Sequence, residues 1–447
     1  MLTPSVAAVQ DGKVFILLRG ELEGRLDTNF YSIEFKVSNR ASFTTLGIGA
    51  KSIIHPPEYP REFSNKGFQL IRSQNVRPLG LSLSENPVFF SEELLIGKKV
   101  IFPKKGDVLI VRSGVNAGDV AIIEEDIENA IVGADTLLVR CKEQFLPKFL
   151  QVYFHTNVGK KQISRHTTGA TNKHLNSENL AKVLIPNLDI EEQKKAILVF
   201  ENALIVKKEK EAEAKQLLTS IDDYLLNALG ITMPEAIAKK KTFFMCSDKV
   251  QGKRFDPFYY ANQDYKIEGG IYENRFLKTI ATLDKGQSIT KDSIVEGEYP
   301  VIAGGQTSPY SHQNYNQKEN VITVSASGAY SGYVWFHDYR IFASDCTVIR
   351  SKNEEDISTQ FLFEILKLKQ KEIYNMQQGA GQPHVYASDL EKLKIPLPRP
   401  SIQKEIAAHI SALRENAKAS EEEAKTIIEV AKAEVEKMIL GEGGEDS

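Results

Sequence analysis

The sequence predicts an α+β protein: two similar strand-rich domains, each followed by a long α-helix, with the two helices pairing as an antiparallel coiled coil. Three observations predict this. Motifs of the first half return in the second. Short β-branched runs bounded by Gly and Asp recur in both halves. Two long stretches carry apolar side chains at heptad spacing, the pattern of helices that bury one seam.

The repetition is explicit. Arg25-Leu26-Asp27-Thr28-Asn29-Phe30-Tyr31 returns as Arg254-Phe255-Asp256-Pro257-Phe258-Tyr259-Tyr260. Ser113-Gly114-Val115-Asn116-Ala117-Gly118 returns as Ser327-Gly328-Ala329-Tyr330-Ser331-Gly332. Gly169-Ala170, then Ile185-Pro186 and Gln193, return as Gly379-Ala380, Ile395-Pro396 and Gln403, an offset of 210 residues that is constant from Ile131 onward. Solenoid repeats run to roughly 20–50 residues, so this period is that of a whole domain. A chain of 447 residues also exceeds the size at which single cores stop growing.

In the first copy, strands are expected at 108–111, 121–123, 130–132 and 136–139, and in the second at 321–324, 333–336 and 347–349. A short amphipathic helix follows in each copy, around 148–161 and 359–375. Asp189 and Glu192 form a capping-box pattern at the start of the first long helix. Its seam runs Ile190, Ile197, Leu204, Leu218 and Leu225, with Phe200, Ala214, Ile221 and Ala228 as the companion row. Gln193, Lys207 and Glu211 interrupt it. The second seam runs Ile406, Ile410, Leu413, Ala417, Ala424, Ile427, Ala431 and Met438, interrupted by Ser420 and Glu434. Gly230 and Gly441 stand at C-terminal stop positions. A 40-residue helix is about 60 Å long, so a pair of them makes a rigid spacer. The resulting division is a first domain at 1–188, a helix at 189–230, a linker at 231–242, a second domain at 243–399, a helix at 400–441 and a disordered tail at 442–447.

Composition is that of an ordinary globular protein. No apolar run is long enough to span a membrane, no secretory signal opens the chain, and Cys141, Cys246 and Cys346 form no disulfide framework. A reducing cytoplasm is the expected location. The net charge of −3 argues against a strongly basic nucleic-acid binder. Its acidic excess, however, sits in residues 414–447, where ten acidic residues face five basic ones, leaving the remainder slightly basic and free to carry local patches.

Signatures of catalysis are missing. Leu46-Gly47-Ile48-Gly49 lacks the third glycine and the βαβ setting of a dinucleotide loop. His55-Pro56-Pro57-Glu58-Tyr59 has His where amine methylation needs Asn or Asp, and its aromatic falls one residue late. There is no phosphate-binding Gly-Lys-Ser/Thr loop, no zinc-ligand spacing and no Gly-x-Ser-x-Gly elbow. A binding protein without a cofactor of its own is the expectation.

Taken together, the entry motif, Gly106–Gly114 with its Gly-Asp-Val-Leu-Ile-x-Arg-Ser-Gly pattern, the Ser-Gly-x-x-x-Gly turn, and the run from Gly379-Ala380-Gly381-Gln382-Pro383-His384 to Ile395-Pro396-Leu397-Pro398 and Gln403 resemble the specificity subunit of type I restriction–modification systems. The first copy departs from that pattern at Leu188, where the second Pro is missing. The resemblance covers the chain from about Val14 to Gly441. It implies two target-recognition domains that each read one half of a bipartite site on double-stranded DNA. It further implies that the helix pair sets the gap and docks methyltransferase subunits, two in number, with an ATP-driven restriction subunit joining them. S-adenosylmethionine, ATP and magnesium are then expected on those partners, and the outcome of assembly is adenine-N6 methylation and restriction. The alternatives are a diverged methyltransferase or nuclease acting alone, and a coiled-coil scaffold carrying two protein-binding modules.

Base readout needs Arg, Lys, Asn or Gln at groove edges. In the first copy the candidates are Arg72, Ser73, Gln74 and Asn75, directly after the strand Phe68–Ile71, and Arg165, His166, Thr168, Asn172 and Lys173 around a Gly-containing loop. In the second copy they are Gln306, Thr307 and Ser308, and Gln377, Gln378, Gln382 and His384. The competing reading of each is a solvated loop residue without a ligand. Residues shared by the copies, such as Arg25/Arg254, Asp27/Asp256 and the paired turn glycines, are expected to be framework.

Overall fold

A computed structural model of the chain describes residue 30 and residues 42–60, 62–77, 80–84, 86–169, 173–233, 244, 246, 247, 265–379 and 381–441. The entry-motif arginines and aspartates, most of the expected linker, Asn172 and the expected tail at 442–447 lie outside the described residues. The chain divides into two compact units, residues 1–210 with 422–447, and residues 211–421. This division falls inside both long helices, Ile190–Leu229 and Pro400–Leu440.

The first unit is built on a four-stranded antiparallel sheet in the order Ala50–Ile54, Thr136–Cys141, Val108–Val111, Val120–Ile122. Val108, Leu109, Ile110 and Val111 are all buried, so this strand is covered on both faces. One face packs under the helices Pro147–His155 and Asn157–His166. The other meets a three-stranded sheet in which Phe68–Ile71 lies between Phe89–Phe90 and a parallel Ala130–Val132. The expected single helix at 148–161 is two helices. Thr156 breaks it, adopting an extended conformation and accepting the Gly159 amide on its hydroxyl at 3.1 Å.

The second unit repeats the plan. Its sheet runs Ala281–Lys285, Cys346–Ser351, Val321–Ser325, Val334–His337, with a smaller sheet of Ser311–His312, Tyr299–Ile302 and Phe342–Ala343. Thr359–Leu368 and Gln370–Tyr374 stand where the first unit has its helix pair. The α+β architecture expected from the repeat is therefore present.

The capping box at Asp189 and Glu192 forms, with reciprocal bonds of 2.9 and 2.8 Å. In the first unit, Ala196, Phe200 and Ala203, near the start of the first long helix, share a core with Ile428, Ala431, Val435 and Ile439, near the end of the second. Lys210 and Glu423 close this segment with an ion pair at 2.9 Å. In the second unit the ends are exchanged: Ile221 and Leu225 pack with Ile406 and Ile410, and Tyr224 lies on His409 at 4.1 Å. Start packs with end in each unit, so the segments are antiparallel.

Two seam expectations need correction. Leu218 is exposed, and the second buried row of the first helix passes instead through Ala196 and Ala203. In the second helix, Met438 and Glu434 face solvent and the buried row shifts by one residue after Ala424, to Ile428, Val435 and Ile439. A straight helix with 3.6 residues per turn drifts about 20° per heptad away from a strict seven-residue row.

Gln193 and its repeat counterpart Gln403 are buried and repeat one device. Gln193 Oε1 accepts the Leu146 amide at 2.8 Å, and its Nε2 donates to the carbonyls of Gln144 and Leu188 at 2.8 and 2.9 Å. Gln403 Oε1 accepts the Ser358 amide at 3.1 Å and its Nε2 donates to Asp356 and Pro398 at 2.7 and 2.9 Å. Each long helix is riveted in this way to the domain that precedes it.

Two buried histidines couple stability to pH. Burial pushes His155, stacked on Phe200, down to about 4, with Lys160, Lys432 and Lys148 adding to the shift. Burial alone pushes His337, whose Nε2 is 2.8 Å from the Thr323 hydroxyl, down to about 4. Both rings fold as neutral bases whose pKa is depressed relative to the unfolded value of 6.5. Their contribution is complete above pH 6.5 and is lost as pH falls from there through about 4, by up to about 3 kcal/mol per ring. Denaturant titrations at pH 7.5 and pH 4.5 should show this loss, and His337→Asn should reduce it. An equal loss in wild type and variant would rule His337 out as a source.

Candidate nucleic-acid interface

At the end of Val108–Val111 the chain makes the glycine turn read from the sequence. Gly114 and Gly118 have φ of 92° and 99°, a region that favours glycine. A side-chain carbon on Gly118 would stand 2.6 Å from Ile163. The turn is closed by Gly118 N–H to Val111 O at 2.8 Å and Ala117 N–H to Gly114 O at 3.1 Å. In the second unit, Gly332 N–H to Ser325 O at 2.7 Å and Ser331 N–H to Gly328 O at 3.0 Å reproduce it.

Both candidate groups of the first copy converge on this turn. Arg112 N–H donates to Asp135 O at 2.9 Å, Leu175 N–H donates to Arg112 O at 2.8 Å, and Gly114 N–H donates to Lys173 O at 3.2 Å. Thr168 and His174 exchange backbone bonds at 2.8 and 2.7 Å, and His174 bridges Ser113. The Arg72 turn joins through Asp135, whose Oδ2 accepts the Ser73 amide at 2.7 Å and the Ser73 hydroxyl at 2.6 Å.

The second unit builds the same frame. Ala326 N–H donates to Asp345 O at 3.1 Å, Val385 N–H to Ala326 O at 3.0 Å, and Gly328 N–H to Pro383 O at 3.0 Å. Gln378 and His384 exchange backbone bonds at 2.8 and 2.7 Å, and His384 bridges Ser327. Asp345 accepts the Ser327 hydroxyl. The 304–308 loop reaches this end too, because Ser325 Oγ donates to Ala303 O and Gly305 O.

Individual candidates fare differently. Asn75 is 1% exposed and closes its own turn, accepting the Arg72 amide at 2.9 Å and donating to Ser82 O at 2.8 Å; its role is internal. His166 is buried, with Nδ1 2.9 Å from Gln162 O and its ring edge-on to Phe30. Arg165 lies over the same Phe30 at 4.2 Å, so Phe30 of the entry motif packs under this helix end. Ser73 is committed to Asp135, and Ser308 to the carbonyls of Val301 and Tyr310. The side-chain amides of Gln377 and Gln378 donate inward to Ser331 O and Asp389 at 2.8 and 2.7 Å. Arg72 Nη2 donates to Asn86 O at 2.7 Å, and the residue remains partly exposed. Gln74 and Thr168 are partly exposed, as is His384, whose ring stacks on Tyr386, while Lys173, Gln306, Thr307 and Gln382 are exposed.

Sequence reasoning missed Arg112, Asp135 and Asp345. The two aspartates stand at the constant offset of 210, after Gly133-Ala134 and Ala343-Ser344, so the repeat carried the signal. Among the described residues no group of His, Cys, Asp and Glu could hold a metal, and no helix is long and apolar enough to cross a membrane.

The two units thus share one backbone frame and differ in the side chains mounted on it. Residues 271–430 match the family model described as the type I restriction modification DNA specificity domain, and the expected resemblance to type I specificity subunits is borne out on this segment. The chain is 29% identical over 137 residues to the type I restriction enzyme MjaVIII specificity subunit of Methanocaldococcus jannaschii, covering 28% of this chain and 32% of that one. A protein of Mycoplasma pneumoniae, provisionally assigned as a type I specificity subunit, is 25% identical over 159 residues, or 33% of this chain and 51% of the relative. The chain thus spans between a third and a half of the length of these relatives. It shares its fold with a chain from a structure described as the basis of complex assembly and conformational transition of the type I R-M system, at TM-score 0.58 and 14% identity, over 91% of this chain and all of that one.

Proposed function

We propose that the chain is the non-catalytic, sequence-specific DNA-binding subunit of a type I restriction–modification complex, acting in the cytoplasm. Each strand-rich domain reads one half of a split target on double-stranded DNA. The long helices set the gap and dock two methyltransferase subunits, and a restriction subunit completes the assembly. S-adenosylmethionine, ATP and magnesium belong to those partners. The observation that carries this reading is the shared backbone frame with different side chains mounted on it. The first unit presents Arg72, Arg112 and Lys173 there, and the second presents Gln306, Gln382 and Tyr330. Two readers of one construction and different chemistry suit two unlike half-sites, whose separation mirrors protein geometry.

Methylome sequencing of cells expressing this subunit with its methyltransferase tests the proposal. N6-methyladenine is expected at a two-part motif with a fixed gap. Its absence from an expressed and assembled complex would overturn the reading. Arg72→Ala should alter preference in the half-site of the first domain alone, and an equal change in both halves would count against independent readers.

A further inference from the structure

We infer that Arg112 is a specificity-determining residue of the first domain and that it reads the major-groove edge of a guanine. This rests on the DNA-binding function proposed above and deepens it. The repeat supplies an internal control for what the side chain does. Arg112 and Ala326 occupy one position in one frame. Each donates its amide to the backbone carbonyl of the paired aspartate, at 2.9 and 3.1 Å, and each accepts the amide that follows the bridging histidine, at 2.8 and 3.0 Å. The frame closes as well with a methyl group as with a guanidinium, so the arginine is not there to build it.

Nor is the guanidinium used locally. Among the described residues it makes one hydrogen bond, from Nη1 to Ala134 O at 3.5 Å, the outer limit of such a contact. Ordering a long arginine side chain costs about 2 kcal/mol of rotamer entropy, which one weak bond does not offset. Its remaining donors stay available on a partly exposed residue.

Position selects the ligand. Arg112 follows a strand buried on both faces and has both backbone groups bonded, so its starting point is rigid. Its backbone joins Asp135, which holds Ser73, to Leu175, beside Lys173 and His174, where both candidate groups converge. A contact to phosphate carries no sequence information, and two domains reading different halves would keep such a contact in both copies. A residue present in one copy and replaced by Ala in the other is suited to base reading. Arginine's planar fork matches O6 and N7 of guanine, the commonest specific pairing in the major groove.

The test uses the full chain assembled with its methyltransferase subunits, selecting from duplexes randomised in both half-sites. Wild type should require guanine at one position of one half-site. Arg112→Ala should bind the preferred duplex about 5- to 150-fold more weakly and accept other bases at that position, leaving the other half-site and the salt dependence unchanged. Arg112→Lys, which keeps the charge but loses the fork, should also relax the preference. Thermal unfolding of Arg112→Ala should match wild type, since Ala326 supports the same frame. Replacing that guanine by 7-deazaguanine removes the N7 acceptor; it should weaken wild type and leave Arg112→Ala unaffected. Uniform weakening across all sequences with a shallower salt slope would identify a phosphate contact and overturn the inference, as would an unchanged preference. A wild-type complex that selects no sequence at all would instead remove the proposed function itself.

Discussion

Gln193→Ala is expected to lower the stability of the first unit by about 3 kcal/mol, a large effect for a residue that sequence patterning marks as a flaw in an apolar seam. The side chain is fully buried and serves three backbone groups: the Leu146 amide and the carbonyls of Gln144 and Leu188. Truncation leaves all three without partners. A buried polar group so orphaned costs about 1–3 kcal/mol, and water entering the space left by the amide offsets part of the sum. The loss concerns how the helix is joined to its domain, because Leu146 caps Pro147–His155 and Leu188 immediately precedes the capping box. Hydrogen exchange over residues 144–150 should therefore accelerate before the sheet is affected. Gln403→Ala should do the same at Ser358 and Asp356, whose bonds to Gln403 are equivalent. A cost below about 0.5 kcal/mol, typical of surface substitutions, would show that neither glutamine holds its helix in place.

These glutamines mark where the sequence is legible. Features fixed by near neighbours could be read directly: the turn glycines at 114, 118, 328 and 332, the capping box at Asp189 and Glu192, and the buried strand Val108–Val111. Features fixed by distant partners could not. Phe89–Phe90 is too short to carry a period, and it is a strand because Phe68–Ile71 lies beside it. Which helix row faces inward depends on a small angular drift, so Leu218 and Ala203 exchange roles although their sequence context favours the opposite assignment. The same limit applies to the site. Polarity marks Arg72 through Asn75 as a group, yet only the fold separates Asn75, used up within its turn, from Arg72 at the surface. Arg112 reads as the end of a strand until its counterpart, Ala326, shows that the frame does not need it.

Arg414→Ala is expected to destabilise the second unit by about 2–4 kcal/mol at neutral pH. Glu364, on the helix Thr359–Leu368, is 1% exposed. Arg414 on the second long helix grips it with both terminal nitrogens, Nη2 to Oε2 at 2.6 Å. Breaking a buried pair from one side leaves a charge without compensation and typically costs about 3–5 kcal/mol. The loss is smaller here because the Arg414 side chain is 37% exposed and water screens it. Burial already raises the Glu364 carboxyl above its ordinary value, against the lowering effect of the Arg414 hydrogen bond and charge; without the arginine it rises further. A folded-state pKa above the unfolded one means that the protonated acid is favoured by folding. The variant's deficit should therefore be smallest at low pH and grow as pH rises through the folded-state pKa of Glu364. Arg414→Ala combined with Glu364→Leu should recover most of the loss, since an apolar side chain in place of Glu364 needs no counter-charge. Denaturant midpoints at pH 5 and pH 8 for both variants decide the matter. A deficit independent of pH, with no recovery in the double variant, would mean that Arg414 stabilises through its packing over Phe363 at 5.3 Å and that the ion pair contributes little.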